Sequence, residues 1–125
     1  MSQTSNFAKP QEQHSAYTVS ARQWIAKGSD VHVKEFILGP GEEVPWHHHS
    51  DIFDVFYCIE GKLNIELQDV FTHDSPPELV LNVGDSAKVD VGMAHRPYNP
   101  GPGRTRFVLI QGVGQYDYLA FEPKK

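Results

Sequence analysis

The apolar and polar positions of this chain fall into short segments of period two, cut by glycine and proline. VHVKEFIL at residues 31–38 is a strong strand candidate. KLNIELQ at 62–68 alternates cleanly, with Leu63, Ile65 and Leu67 on one face and Asn64, Glu66 and Gln68 on the other. ELVLNV (78–83), SAKVDV (86–91), the run from Met93 to Asn99, and RFVLIQGV (106–113) continue the series. Turn signals separate these runs: Lys27-Gly28-Ser29-Asp30, Gly39-Pro40-Gly41, Gly61, the loop 72–78, Gly84-Asp85, and Pro100-Gly101-Pro102-Gly103. Residues 16–26 alternate loosely around Trp24 and Ile25, and residues 115–123 read as a packed tail with Tyr116, Tyr118 and Phe121. The pattern predicts seven or eight strands and no helix of strong period, hence an all-β sandwich or barrel.

Length and composition narrow this reading. At 125 residues, 39% hydrophobic and 22% charged, the chain is expected to form one globular domain. Residues 1–15 carry almost no apolar content and read as a flexible N-terminal arm, leaving 16–125 as the domain. His14 in that arm has no role on this reading, and His32 and His73 read as an ordinary strand histidine and a loop histidine. The net charge of −5 argues against nucleic acid or an anionic membrane as partner. No apolar run approaches the roughly 20 residues that span a bilayer, and no secretory signal pattern opens the chain. With the single cysteine Cys58, which cannot form an internal disulfide, these features set a cytoplasmic expectation.

The chemistry concentrates in residues 41–61, GEEVPWHHHSDIFDVFYCIEG. Alternation along a strand points His47 and His49 one way and His48 the other. Asp54 follows five residues after His49, on a second strand that ends at Gly61. A histidine run can also be a purification tag or a solvated loop, but this one is internal and short. A second segment, GDSAKVDVGMAHRPYN at 84–99, supplies His95 after a glycine turn. Three imidazoles and a carboxylate are a sufficient donor set for Zn, Fe, Ni, Mn or a similar ion.

At these two segments the sequence resembles the cupin superfamily, in particular its small single-domain members. The first cupin motif is glycine, five residues, His-x-His, three or four residues, Glu, six residues, glycine. Here it reads Gly41, five residues, His47-His48-His49, four residues, Asp54, six residues, Gly61. The second is glycine, five residues, Pro-x-Gly, two residues, His, three residues, Asn. Here it reads Gly84, five residues, Asp90-Val91-Gly92, two residues, His95, three residues, Asn99. Asp54 stands where the family has Glu, and Asp90 where it has Pro. The resemblance implies a double-stranded β-helix, or jelly-roll, barrel. It also implies one divalent transition metal per chain (Mn, Fe, Ni, Zn or Co) held by His47, His49, Asp54 and His95.

Alternation then predicts the pocket. Phe56 and Cys58 share the face of Asp54, while Met93 and Pro97 share that of His95. On the last long strand either Arg106, Val108 and Ile110 or Phe107, Leu109 and Gln111 face inward; a bulge would exchange the sets. Cys58 reads better as a small core residue than as a reactive thiol. Arg104 and Arg106 read as a solvated strand end, or else as a fork for a substrate carboxylate. Asp54, one methylene shorter than Glu, is expected to coordinate directly, with a water-bridged contact as the alternative. The resemblance implies an enzyme of dioxygenase, isomerase, lyase or cyclase type acting on a small oxygenated molecule. The alternatives are a non-catalytic ligand-binding or sensor cupin and a storage-type barrel. A homodimer is expected, with the segment Tyr17–Ile25 adding a strand to its neighbour.

Overall fold

The computed structural model describes residues 12–125. Among these the elements are strands only: β1 (Ala21–Lys27), β2 (His32–Leu38), β3 (His47–His48), β4 (Phe53–Glu60), β5 (Leu63–Asp69), β6 (Leu79–Leu81), β7 (Ser86–Val89), β8 (Met93–Tyr98), β9 (Thr105–Gly112) and β10 (Leu119–Ala120). They form two antiparallel five-stranded sheets, ordered β1-β2-β9-β4-β7 and β10-β3-β8-β5-β6. The two sheets face each other as an all-β double-stranded β-helix, as the alternation and the motif spacing predict.

Alternation explains which residues fill the space between the sheets. Along β4, Asp54, Phe56 and Cys58 are buried while Phe53, Val55 and Tyr57 are less so. Along β5, Leu63 and Ile65 are fully buried. Phe36 stacks on Phe107 (ring centroids 4.9 Å), and Phe56 lies 5.7 Å from Phe107. Each such side chain removed from water contributes about 1.5–3 kcal/mol. The open question on β9 is resolved in favour of Phe107, Leu109 and Gln111, which pair in register with Cys58, Phe56 and Asp54 of β4. Arg106 points away and is ion-paired with Glu35 and Glu60, and Arg104 with Glu60, so both arginines belong to a surface network.

The structure holds two more strands than the upper expectation. Both β3 and β10 have two residues, too few to leave a periodic signal. β10 exists because the tail turns back onto β3, pairing Leu119 with His48 and Ala120 with His47. The segment expected to reach a neighbour pairs within its own chain, β1 against β2 from Ala21↔Ile37 to Lys27↔His32. Part of the expected N-terminal arm, residues 1–11, lies outside the described residues. Glu12 bonds to the Arg22 carbonyl, and His14 stacks on Tyr17 with ring centroids 4.6 Å apart. No helix among the described residues is long and apolar enough to cross a membrane.

Candidate metal centre

The site lies between the two sheets. β3 contributes His47, the segment just after it His49, β8 His95, and β4 of the opposite sheet Asp54. His47 pairs directly with His95 across β3 and β8, which sets their ring centroids 4.4 Å apart. All four residues are buried, and one donor atom from each lies within 4.8 Å of the others. His48 points away, edge-on to Phe121 at 6.1 Å and only partly buried, as alternation requires.

The three rings are held in one tautomer. Nδ1 of His47 bonds to the Pro45 carbonyl (2.7 Å), Nδ1 of His49 to that of Asp117 (2.5 Å), and Nδ1 of His95 to that of Met93 (2.9 Å). A carbonyl oxygen only accepts, so each Nδ1 carries the proton and each Nε2 of a neutral ring presents a lone pair. Two of those Nε2 atoms meet a carboxylate. His95 Nε2 is 2.8 Å from Asp54 Oδ2. His49 Nε2 is 3.3 Å from the same oxygen, is buried, and has no hydrogen-bond partner. Lone pairs facing a carboxylate at such distances require a positive charge among them, a proton or a metal ion. The donor set therefore fits a divalent transition metal.

Charge states follow from the same contacts. Burial opposes ionisation of Asp54, but the ring nitrogens of His49 and His95 outweigh it and hold the carboxyl far below the usual carboxylate range. Burial, with His95 and His49 alongside, pushes His47 well below its ordinary value, which keeps it in the neutral ligand form. Burial would lower His49 too, but the adjacent Asp54 carboxylate raises it. Asp54 Oδ1 is fixed separately by a bond from Gln111 Nε2 (3.0 Å).

Of the four residues expected around the site, Phe56 and Pro97 line the cavity beside it, and Cys58 and Met93 do not. Cys58 lies further along β4 in the apolar core, with Sγ 3.6 Å from the Glu60 and Gly61 carbonyls. Met93 packs at the core margin, and its carbonyl holds the His95 ring. Alternation gives the inward parity of these positions, and the extent of the cavity along each strand depends on what packs from the opposite sheet. Several wall residues were missed: Tyr17, Lys34, Gln111, Tyr116 and Tyr118. Lys34 carried a usable signal, since it shares the parity of Phe36 and Leu38 and so stands on the inward face of β2. Tyr116 and Tyr118 belong to the tail expected to pack, but nothing in the sequence says against what, because their segment has little pairing. Tyr118 stacks on the His47 ring (4.5 Å), and Tyr116 lies 5.8 Å from that of His49. The space a water's centre can reach in this cavity is about 10 Å³, room for roughly one water.

The second motif's Asn99 acts through the backbone, donating to the Leu38 and Gly103 carbonyls and accepting from the Gly101 N–H. Asp90 is exposed and paired with Lys88 (3.4 Å), far from a ligand role.

Comparison with known proteins agrees with this geometry. Residues 34–111 match the cupin domain family, and the chain belongs to that family. Over 54 residues it is 37% identical to the uncharacterized protein YdbB of Bacillus subtilis, a match covering 43% of this chain and 42% of that relative. The chain thus matches under half the length of that curated relative. Among solved structures it resembles a conserved Klebsiella pneumoniae protein with a double-stranded β-helix domain, at 25% identity and TM-score 0.65, over 81% of this chain and 79% of that one. It also resembles KdgF from Halomonas sp., at 14% identity and TM-score 0.70, over 88% and 93% of the two chains, a likeness of fold alone.

Proposed function

We propose that this cupin is a metal-dependent enzyme acting on a small oxygenated molecule, of dioxygenase, isomerase, lyase or cyclase type. His47, His49, Asp54 and His95 would hold one divalent transition metal per chain, Mn, Fe, Co, Ni or Zn. The observation that carries this reading is the shared tautomer: three Nδ1–H groups bonded to backbone carbonyls leave three Nε2 lone pairs, two of them facing the buried Asp54 carboxylate, in a cluster whose donor atoms lie within 4.8 Å of one another. Such a bound ion supplies Lewis acidity and coordination positions for a reacting oxygen. The chain's own residues do the rest. Phe56, Pro97, Phe107 and Leu109 wall the cavity with apolar surface, Gln111 orients Asp54, and Tyr17, Tyr116 and Tyr118 stand over the histidines. Substrate entry then requires these tyrosines to move, since the cavity as closed has room for roughly one water. We further propose that the protein works as a homodimer.

Metal analysis of protein made without a histidine tag tests the metal. About one equivalent per chain is expected, since the four buried residues form one cluster. Protein that stays essentially metal-free after incubation with Mn, Fe, Co, Ni and Zn in turn would overturn the proposal. Turnover by the loaded protein of keto acids, sugars or phenolics separates an enzyme from a binding module.

A further inference from the structure

Lys34 is a buried cation that forms no ion pair among the described residues. Its side chain is 2% exposed, and it lines the same cavity as His47, His49 and Asp54. Its Nζ donates to Gln111 Oε1 (2.7 Å), and Gln111 Nε2 in turn donates to Asp54 Oδ1 (3.0 Å). Two hydrogen bonds therefore join this ammonium to the candidate ligand carboxylate. Otherwise Nζ faces aromatic rings, 4.9 Å from the centroid of Trp24 and 4.7 Å from that of Tyr116. Among the described residues no carboxylate lies within ion-pairing distance of it. The other buried cations are matched: Arg22 pairs with Glu12 at 3.7 Å, and the histidines face Asp54.

A buried ammonium without a counter-ion is costly, by several kcal/mol in general. Nothing in the packing of β2 demands it, since its neighbours on that face are Phe36 and Leu38 and a Met or Leu would fill the volume. A dication held by the four candidate ligands would add positive charge that Asp54 alone does not balance. The cavity is thus short of negative charge where Lys34 and the histidines converge. Arg22, 5% exposed and paired with Glu12, leaves its buried Nε without a hydrogen-bond partner among the described residues.

We propose that the cavity receives a small organic carboxylate and that Lys34 is the residue that selects it. The carboxylate supplies the missing counter-charge to Nζ, and Gln111 and the ring of Trp24 hold the ammonium in place for it as the tyrosines give way. Gln111 couples this anchor to Asp54, so that ligand binding and metal geometry are linked. The identity of the ligand as an anion rests on the metal-enzyme reading only for its second anchor; Lys34 makes the first anchor by itself.

The test is calorimetric titration of glycolate, pyruvate and malonate, with glycolamide as the uncharged control. It uses full-length protein in two states, loaded with Co(II) and stripped of metal, after the metal content has been measured. The carboxylates should bind and the amide should not, and binding to the loaded protein should perturb the visible Co(II) bands. Lys34→Met keeps the side-chain volume and removes the charge. It should retain its metal but bind the carboxylates about 10-fold more weakly or worse, whereas Lys34→Arg should retain part of the affinity. If Lys34→Met does not fold, Lys34→Gln serves in its place. Wild-type protein that ignores all three carboxylates in both states, or variants that bind them as tightly as wild type, would overturn the proposal. A protein that takes up no metal refutes the metal-enzyme reading instead, and the stripped state then still decides whether Lys34 binds the anion.

Discussion

At the scale of the residue, the informative positions are those where charge is buried. Asp54 is fixed by Gln111 on one oxygen and faces His49 and His95 with the other. Asp54→Ala should therefore weaken metal binding by roughly 10- to 100-fold even if its contact is indirect. His48→Ala, on the opposite face, should change it little. A competition titration with a metal chelator compares them, and equal losses would refute the face assignment. Lys34 offers a second prediction. Burial, then Arg22, lower its pKa from 10.5 to about 7, with Lys27 acting the same way and Asp54 and Glu12 opposing. The folded protein thus releases this proton near pH 7, while the unfolded chain keeps it until about 10.5. Between those values the unfolded state binds more protons, so stability rises with pH and is lost again as pH falls toward 7. Burial raises Tyr17 from 10.0 to about 12, which opposes this trend only above about pH 10. The raised His49 pulls the other way in the lower part of this range, so urea denaturation of metal-free protein from about pH 7 to 9.5 should show stability changing more favourably with pH in wild type than in Lys34→Met.

At the scale of the element, turns set how far the site residues are carried into the cavity. The turn from β4 into β5 is closely packed against the backbone at Arg104. Gly61 has φ of 74°, and a Cβ there would stand 2.3 Å from the Arg104 carbonyl oxygen, a backbone atom with no freedom to yield. Gly61→Ala should cost about 2–4 kcal/mol from the left-handed backbone and the clash together. Thermal denaturation measures it; a loss below about 0.5 kcal/mol would show that the turn can rearrange. The tail is the element that periodicity could not place. Asp117 holds the His49 ring through its carbonyl and Ser50 through its carboxylate, so a segment with only two strand residues positions a candidate ligand.

At the scale of the whole molecule, β1 is the terminal strand of its sheet and leaves Ile25 45% exposed. A terminal strand with apolar residues outward invites pairing with a second copy. Light scattering at micromolar concentration should return twice the 14.1 kDa chain mass. A value at the single-chain mass would reject the dimer.

The sequence by itself determined the strand pattern, the all-β class and the four candidate ligands. Alternation is a local property, and motif spacing counts residues between turns, so both survive without knowledge of what lies opposite. His47 and His49 on one face, Asp54 on the next strand and His95 beyond Gly92 are all of this kind. What only tertiary structure decided is which residues meet across the two sheets. The inward set of β9 depends on its register with β4, and register is a pairing between distant segments. Lys34 reaches the site through Gln111, 77 positions away along the chain, and His49 is steadied by Asp117, 68 positions away. Tyr17 and Tyr118 arrive from opposite ends of the chain with ring centroids 5.9 Å apart. No periodicity announces such meetings, because the burial that holds these groups together exists only once both sheets have closed around them.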